Sequence, residues 1–264
     1  LRSATKYGAA TFVDTVHHDG LTDAFEQIAM GTLTDQGNTT LGLERSAQDA
    51  YAAQSHQRAA QHQAALAAEI APYTVKSRRG ESLVEYDDGV RADASAESLA
   101  QLRPAFSPEG TVTAGNASQI TDGAAAVVVI SEAAVERLGL KPLAAIESTA
   151  FVAGPDVHLH AQPANAIKAA AQKAEVSVSN FKAVEINEAF ASVALQSAKE
   201  LGLATESVNQ RGGAIALGHP IGASGTRIVG SLACQLSEHG PGSLGAAGIC
   251  GGGGQGSAII LRAV

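Results

Sequence analysis

Residues 124–130 read AAAVVVI, seven consecutive apolar side chains closed by Ser131 and Glu132. No polar residue alternates with the apolar ones, so neither face of the segment tolerates water. Such a run suits a strand buried on both faces, as in a sheet covered by helices, with Ser131 capping a helix that follows. A chain carrying it is directed toward layered α/β architecture. The remaining pattern agrees. Strands are predicted over 143–150, 183–186, 244–250 and 257–261. Helices are predicted over 21–28, 48–70, 163–174, 189–201 and 228–238. Residues 31–42, rich in Thr and Asn, read as a loop, and 71–106 as irregular chain with short strands.

Composition narrows the function classes. The chain has 264 residues, 45% hydrophobic and 17% charged, enough to bury a core in one large domain or two ordinary ones. Tryptophan is absent and aromatics are 4%, so Ala, Val, Ile and Leu must fill that core. A net charge of -8 argues against a nucleic-acid or membrane-surface footprint. No apolar run approaches the ~18 residues of a membrane span, and Leu1-Arg2-Ser3 does not open a signal peptide. The two cysteines, Cys234 and Cys250, read as thiols in a reducing compartment, so a cytoplasmic location is expected.

Three motifs can carry chemistry. The first is GGAIALGHPIGASGTRI, Gly212 to Ile228, which surrounds His219 with five glycines. Glycines at 212, 213, 218, 222 and 225 permit positive φ and let backbone amides crowd one point, and Ser224 is placed to cap the helix that follows. A histidine on such a loop can face a cleft and move protons near neutral pH. The bland alternative is a glycine-rich loop with an ordinary surface histidine. The second motif is CGGGGQG, Cys250 to Gly256. Stripping side chains from Gly251 and Gly252 lets substrate approach the thiol, and amides there can hold a thiolate or an oxyanion. A buried cysteine before a hairpin is the alternative, and for Cys234, inside a helical SLACQL, burial is the better account. The third is NEAFA, Asn187 to Ala191, in which Asn187 either caps a helix or positions a water or an oxyanion. Taken together, a Cys, a His and an Asn on loops at strand ends suit acyl transfer, with Cys250 as nucleophile and His219 as its base.

In this order and spacing, NEAFA, NQRGGAIALGHPIGASGTRI and CGGGGQG closely resemble the thiolase family. GTVTAGNASQITDGAAAVVV (residues 110–129), DGLTDAF (19–25) and LRPAF (102–106) resemble it too, so the likeness covers essentially the whole chain and is strongest to biosynthetic acetyl-CoA acetyltransferases. The resemblance implies a layered α/β/α fold with the N-terminal sheet domain mostly missing. It implies a loop domain over 1–122, a remnant strand and helix over 123–143, and a C-terminal domain over 144–264. LRSATKYG at the start resembles an interior part of the family near its tetramer contacts.

The resemblance also reassigns roles. Thiolases use two cysteines, one acylated in the N-terminal half and one acting as acid/base in the C-terminal motif. Cys250 matches the second, and nothing in this chain matches the first. His219 matches the histidine that activates the nucleophile and contributes to an oxyanion hole. Asn187 matches the asparagine that holds a catalytic water in the other. Ser118 matches a serine that touches the pantetheine arm of coenzyme A, and Met30 and Phe190 match residues lining that tunnel. The implied reaction is the reversible condensation of two acetyl-CoA to acetoacetyl-CoA, or thiolysis of 3-ketoacyl-CoA. Acyl-CoA and CoA are its partners, no cofactor or metal is involved, and the complete enzyme is a homo-oligomer, a tetramer or dimer. The sequence departs from the family at Ala29, where a histidine is common, and at 158–162, where HLHAQ replaces a Gly-Pro-rich loop. A competing expectation is a catalytically dead remnant that binds CoA or a partner. An unrelated Cys-His hydrolase lacks support, since no G-x-S-x-G elbow occurs.

Overall fold

The computed structural model describes residues 7–264; residues 1–6, and with them most of the LRSATKYG stretch, lie outside the described residues. In chain order the helices and strands are α1 (Met30–Leu41), α2 (Arg45–Gln61), α3 (Gln63–Glu69), β1 (Tyr73–Ser77), β2 (Gly80–Val84), α4 (Ala96–Ala100), α5 (Glu132–Leu138), β3 (Ala144–Ala153), α6 (Gln162–Lys173), β4 (Phe181–Ile186), α7 (Ala191–Leu201), α8 (Ala214–Leu217), α9 (Ser224–His239), β5 (Leu244–Gly251) and β6 (Gln255–Ala263). No helix among the described residues is long and apolar enough to cross a membrane.

The C-terminal half is a three-layer unit. Its sheet has the order β3-β6-β5-β4, antiparallel except for the β4/β5 pair. Side chains alternate across each strand, and the two faces bury different sets. Val184, Ile186, Ala246, Ala258 and Ile260 pack under α6 and α7. Ala183, Ala247, Leu261 and Ala263 pack against Ile228, Leu232 and Leu236 of α9. With so many alanines, helix and sheet approach closely. The parallel β4/β5 pair puts the C-terminal ends of two strands side by side, and Asn187 and Cys250 lie there.

The N-terminal half wraps one end of this unit. Tyr51, Ala52 and Ala53 of α2 pack against Ala191 and Ala194 of α7 and Ile215 of α8. The strands β1 and β2 form a separate exposed hairpin.

Several expectations require correction. Residues 31–42 form helix α1 rather than a loop. Weak propensity is overridden by tertiary contacts: the Asp35 carboxylate accepts the Thr111 and Val112 amides at 2.8 and 2.9 Å, and Asn38 donates to Thr111 and accepts from His160. The helix then stops at Gly42, whose φ of 64° is left-handed. Residues 21–28 form turns rather than a helix. The run 124–130 forms no strand, and Val128 and Val129 are 89% and 74% exposed. The pattern calls for burial, yet no strand lies beside it among the described residues; Val127 reaches the flank of α9, near Gly230.

Candidate active site

Asn187 follows directly on β4. Its amide donates to Gly248 O of β5 at 2.9 Å, which continues the parallel ladder one residue beyond the strand. The side chain is fully buried. It is not the cap of α7, a place taken by Phe190. Its Nδ2 instead donates to His219 Nε2 at 3.3 Å, and its Oδ1 is buried without a protein partner. The structure thus brings two of the three sequence-predicted groups into contact across 32 residues of chain.

The ring of His219 is oriented by Ser224. The Ser224 hydroxyl donates to Pro220 O at 3.0 Å, so its oxygen is left to accept from His219 Nδ1–H at 2.6 Å. This places the proton on Nδ1 and leaves Nε2 as the acceptor facing Asn187, the state a general base needs. Burial, and secondarily the Arg227 charge, lowers the His219 pKa to about 4, so the imidazole is neutral at pH 7. Ser224, expected as a helix cap, is the first residue of α9 and makes no cap bond; its role at His219 was not visible in the sequence.

The loop that delivers His219 is tightly built. Gly218 has φ of 92°, and a Cβ there would stand 2.2 Å from Thr121 Oγ1. Gln119 brackets α8, donating to Ile215 O at 2.9 Å while its own carbonyl accepts the His219 amide at 3.0 Å. The amides of the glycine motif do not converge on one point as expected. Gly212, Gly213 and Gly218 donate separately to Asn209 O, Ser55 Oγ and Ala214 O, and Gly222 and Gly225 do not adopt positive φ.

Cys250 sits near the end of β5, two residues beyond the carbonyl that receives the Asn187 amide. It packs with Val112, Leu159, Phe190 and Met30, and burial pushes its thiol up to about 12. Among the described residues no hydrogen bond joins its sulfur to His219 or Asn187. Beyond it, Gly252 has room only because it lacks a Cβ, which would lie 2.7 Å from Met30 Cε. Gly251 has no such close neighbour. The hairpin is pinned by Asp23, a fully buried residue of the DGLTDAF stretch that accepts the Gly253 amide at 3.0 Å.

The residues matched to a CoA tunnel come together in part. Phe190 forms an edge-to-face pair with Phe106 at 6.4 Å, Met30 opens α1 beside Gly252, and Ser118 N donates to Ala189 O at 3.1 Å next to the Ala117–Phe190 bridge. Cys234 lies apart on α9. No group of three or more metal-ligating side chains occurs among the described residues.

Comparison with known proteins fits this geometry to a family. Residues 1–133 match the model of the thiolase N-terminal domain and residues 140–263 that of the thiolase C-terminal domain. The chain is 51% identical to a probable acetyl-CoA acetyltransferase of Mycobacterium leprae, over 100% of this chain and 67% of that protein. A relative from Mycobacterium tuberculosis with the same description is also 51% identical, over 99% and 67%. The crystal structure of the Bacillus anthracis acetyl-CoA acetyltransferase superposes with a TM-score of 0.92 at 37% identity, and that of human mitochondrial 3-ketoacyl-CoA thiolase with 0.88 at 34%; each covers 100% of this chain and 67% of the other. The chain therefore spans about two thirds of the length of these relatives. With both domain models matched in order, and with Asn187 and His219 paired at the end of the sheet, the chain belongs to the thiolase family of acyl-transferring enzymes.

Proposed function

We propose that this chain carries the acid/base and oxyanion half of an acetyl-CoA acetyltransferase site, and that the acylated cysteine comes from outside these 264 residues. The observation that carries this is the Asn187–His219 contact at the C-terminal end of β4, with Cys250 near the end of the adjoining β5. Cys234 stands on α9, away from that cluster, so neither cysteine of the chain fills the nucleophile's place.

The proposed chemistry runs as follows. Cys250 S–H gives its proton to the CoA thiolate that leaves when the nucleophile is acylated, and the resulting Cys250 thiolate removes a proton from the methyl carbon of a second acetyl-CoA, re-forming S–H and leaving an enolate whose charge moves to the thioester oxygen. The buried Asn187 Oδ1 can hold a water that donates to that oxygen. The enolate carbon attacks the acyl thioester of the nucleophile, a C–C bond forms, and the nucleophile's thiolate leaves. Neutral His219, its Nε2 free of a proton, takes or returns the nucleophile's proton. A thiol pKa near 12 makes Cys250 a poor acid but its thiolate a strong base, which suits a carbon acid. Ser118, Met30 and Phe190 would line the path of the pantetheine arm, with Gly251 and Gly252 admitting the acyl group. In its complete form the enzyme is proposed to be a cytoplasmic homo-oligomer, on the strength of the family resemblance.

Deuterium incorporation into the acetyl-CoA methyl group in D2O isolates this half of the chemistry, because no acyl-enzyme is required. The chain should catalyse it, faster as pH rises from 7 to 9, because burial holds the thiol above its usual range and the thiolate fraction grows with pH. Cys250→Ala should slow it by ~10²-fold or more, the scale of lost acid–base catalysis. Exchange at the buffer rate would overturn the catalytic proposal. A second function, partner binding by a catalytically dead remnant, is favoured by a specific feature, the exposed apolar residues Ile120, Val128 and Val129. Self-association in sedimentation that Val128→Lys abolishes, in a chain that shows no exchange, would support it.

A further inference from the structure

Behind Asn187 lies a buried polar cluster that the catalytic scheme does not use. Glu188 is fully buried, and among the described residues no Lys or Arg bonds to it. Four neutral donors serve its carboxylate. Oε1 accepts from Tyr51 Oη and Asn209 Nδ2, each at 2.9 Å. Oε2 accepts from Ser55 Oγ at 2.7 Å and from the Ile215 amide at 3.1 Å. Ser55 Oγ also accepts the Gly213 amide at 3.1 Å.

These donors belong to different parts of the site. Tyr51 and Ser55, four apart, lie on one face of α2. Ile215 lies in α8, the turn that leads to His219. Asn209 holds the free edge of β4, its Oδ1 accepting the Ile186 amide at 2.7 Å and its Nδ2 donating to Ile186 O at 2.8 Å. It does so with φ of 50°, a left-handed conformation that costs free energy and persists only where surrounding bonds fix it. A Cβ at Gly213 would stand 2.3 Å from Glu188 Cδ, so the chain leaves that position empty where the carboxylate sits.

We propose that Glu188 is a positioning residue: its carboxylate ties α2, the end of β4 and α8 together, and thereby sets the distance between Asn187, its neighbour in sequence, and His219. Burial and the adjacent carboxylate push the Tyr51 hydroxyl well above its usual range, so it stays protonated and remains a donor. The proposal rests on Asn187 and His219 being the catalytic pair, but its test does not require turnover.

The test is an NMR titration of the chain, with the His219 and Asn187 resonances assigned through His219→Gln and Asn187→Asp. In the parent, the Asn187 side-chain amide shift should follow the protonation of His219, whose ring also faces Arg227 and Ser224. Glu188→Gln keeps the shape of the side chain but turns an NH2 toward the Ile215 amide, setting donor against donor. The Asn187 amide should then stop following the titration, and the His219 midpoint should rise by about one pH unit or more as water reaches the ring. Leu236→Ala, a core loss near the far end of α9 from Ser224, should change neither. Should Glu188→Gln not fold, Tyr51→Phe, which removes a single donor, carries the test with a smaller shift in the same direction. A folded variant in which both readouts match the parent overturns the proposal, and so does a parent in which the Asn187 amide ignores His219. A failed deuterium-exchange assay with these NMR results intact would instead count against the catalytic scheme alone.

Discussion

Gly213→Ala adds one methyl group at the point where the loop before α8 crosses the Glu188 carboxylate. Backbone strain plays no part, because φ at Gly213 is -149°, an extended value that alanine adopts freely. The new Cβ would lie 2.3 Å from Glu188 Cδ and 2.5 and 2.6 Å from its oxygens, where about 3.5 Å is normal. Relief requires the carboxylate or the loop to move by about 1 Å, which breaks or stretches the bonds from Tyr51, Ser55, Asn209 and Ile215. Each hydrogen bond to a charged group contributes about 1.5–3 kcal/mol, but four bonds to one group do not sum. A loss of about 3–5 kcal/mol is expected, the scale of breaking a buried polar network. Urea unfolding followed by circular dichroism at pH 7 measures it. Gly222→Ala is the matched control: no atom lies within 4 Å of its Cβ and its φ is not left-handed, so it should stay within about 1 kcal/mol of the parent. Glu188→Ala removes the group that the added methyl strikes. The double variant should therefore be less destabilised than the sum of the singles by about 2 kcal/mol or more. A Gly213→Ala protein as stable as the Gly222→Ala control, or an additive cycle, would refute the steric argument.

Three further outcomes are expected. Ser224→Ala deletes the acceptor of His219 Nδ1–H and should shift the ring toward the Nε2–H tautomer at a cost of about 1 kcal/mol; unchanged ring 15N shifts would sink the tautomer assignment. Burial raises the Glu185 pKa to about 7, so the folded state binds a proton that the unfolded state gives up near 4.5, and this residue's contribution to stability falls as pH rises from 4.5 to 7. His160 and His219, both lowered to about 4, act in the opposite sense, their contribution falling as pH drops from 6.5 toward 4. Glu185→Gln, still able to accept from Gln235, should isolate the first effect by gaining stability relative to the parent across that window, by up to about 3 kcal/mol; a constant difference refutes it. Val128→Lys should leave the unfolding free energy within about 0.5 kcal/mol of the parent and reduce self-association in sedimentation, whereas a large destabilisation would mean that residue is packed.

What the sequence discloses depends on whether the partner of a residue is local. The strands over 183–186 and 244–250 and the helices after 186 and before 244 could be read because their apolar spacing serves the two faces of one sheet. Asn187, His219 and Cys250 could be singled out because glycines and strand ends mark them, and the structure brings the first two into contact. Helix α1 could not, since its Thr and Asn residues are poor helix formers, and the bonds from Asp35 and Asn38 that hold it reach residues 73–77 positions away. Tyr51 and Ser55 lie in a helix rich in Ala and Gln, with nothing nearby to say that a carboxylate 133–137 residues on will meet them. For 124–130 the apolar run predicted a strand buried on both faces, and the structure shows instead an exposed segment with no strand beside it among the described residues.

The clamp around Glu188 also bears on the order in which the molecule assembles. Its bonds join residues 51 and 55 to 188, 209 and 213, separations of 133–158 residues. Loop closure of that span is entropically costly and is not repaid until the sheet and α2 have already met. The pairing of Asn187 with His219 is therefore a late event in folding, formed after β4 and β5 have joined. In a pulse-labelling experiment the Ile215 amide should gain protection after the amides of the sheet, so the chain becomes compact before Asn187 and His219 are paired.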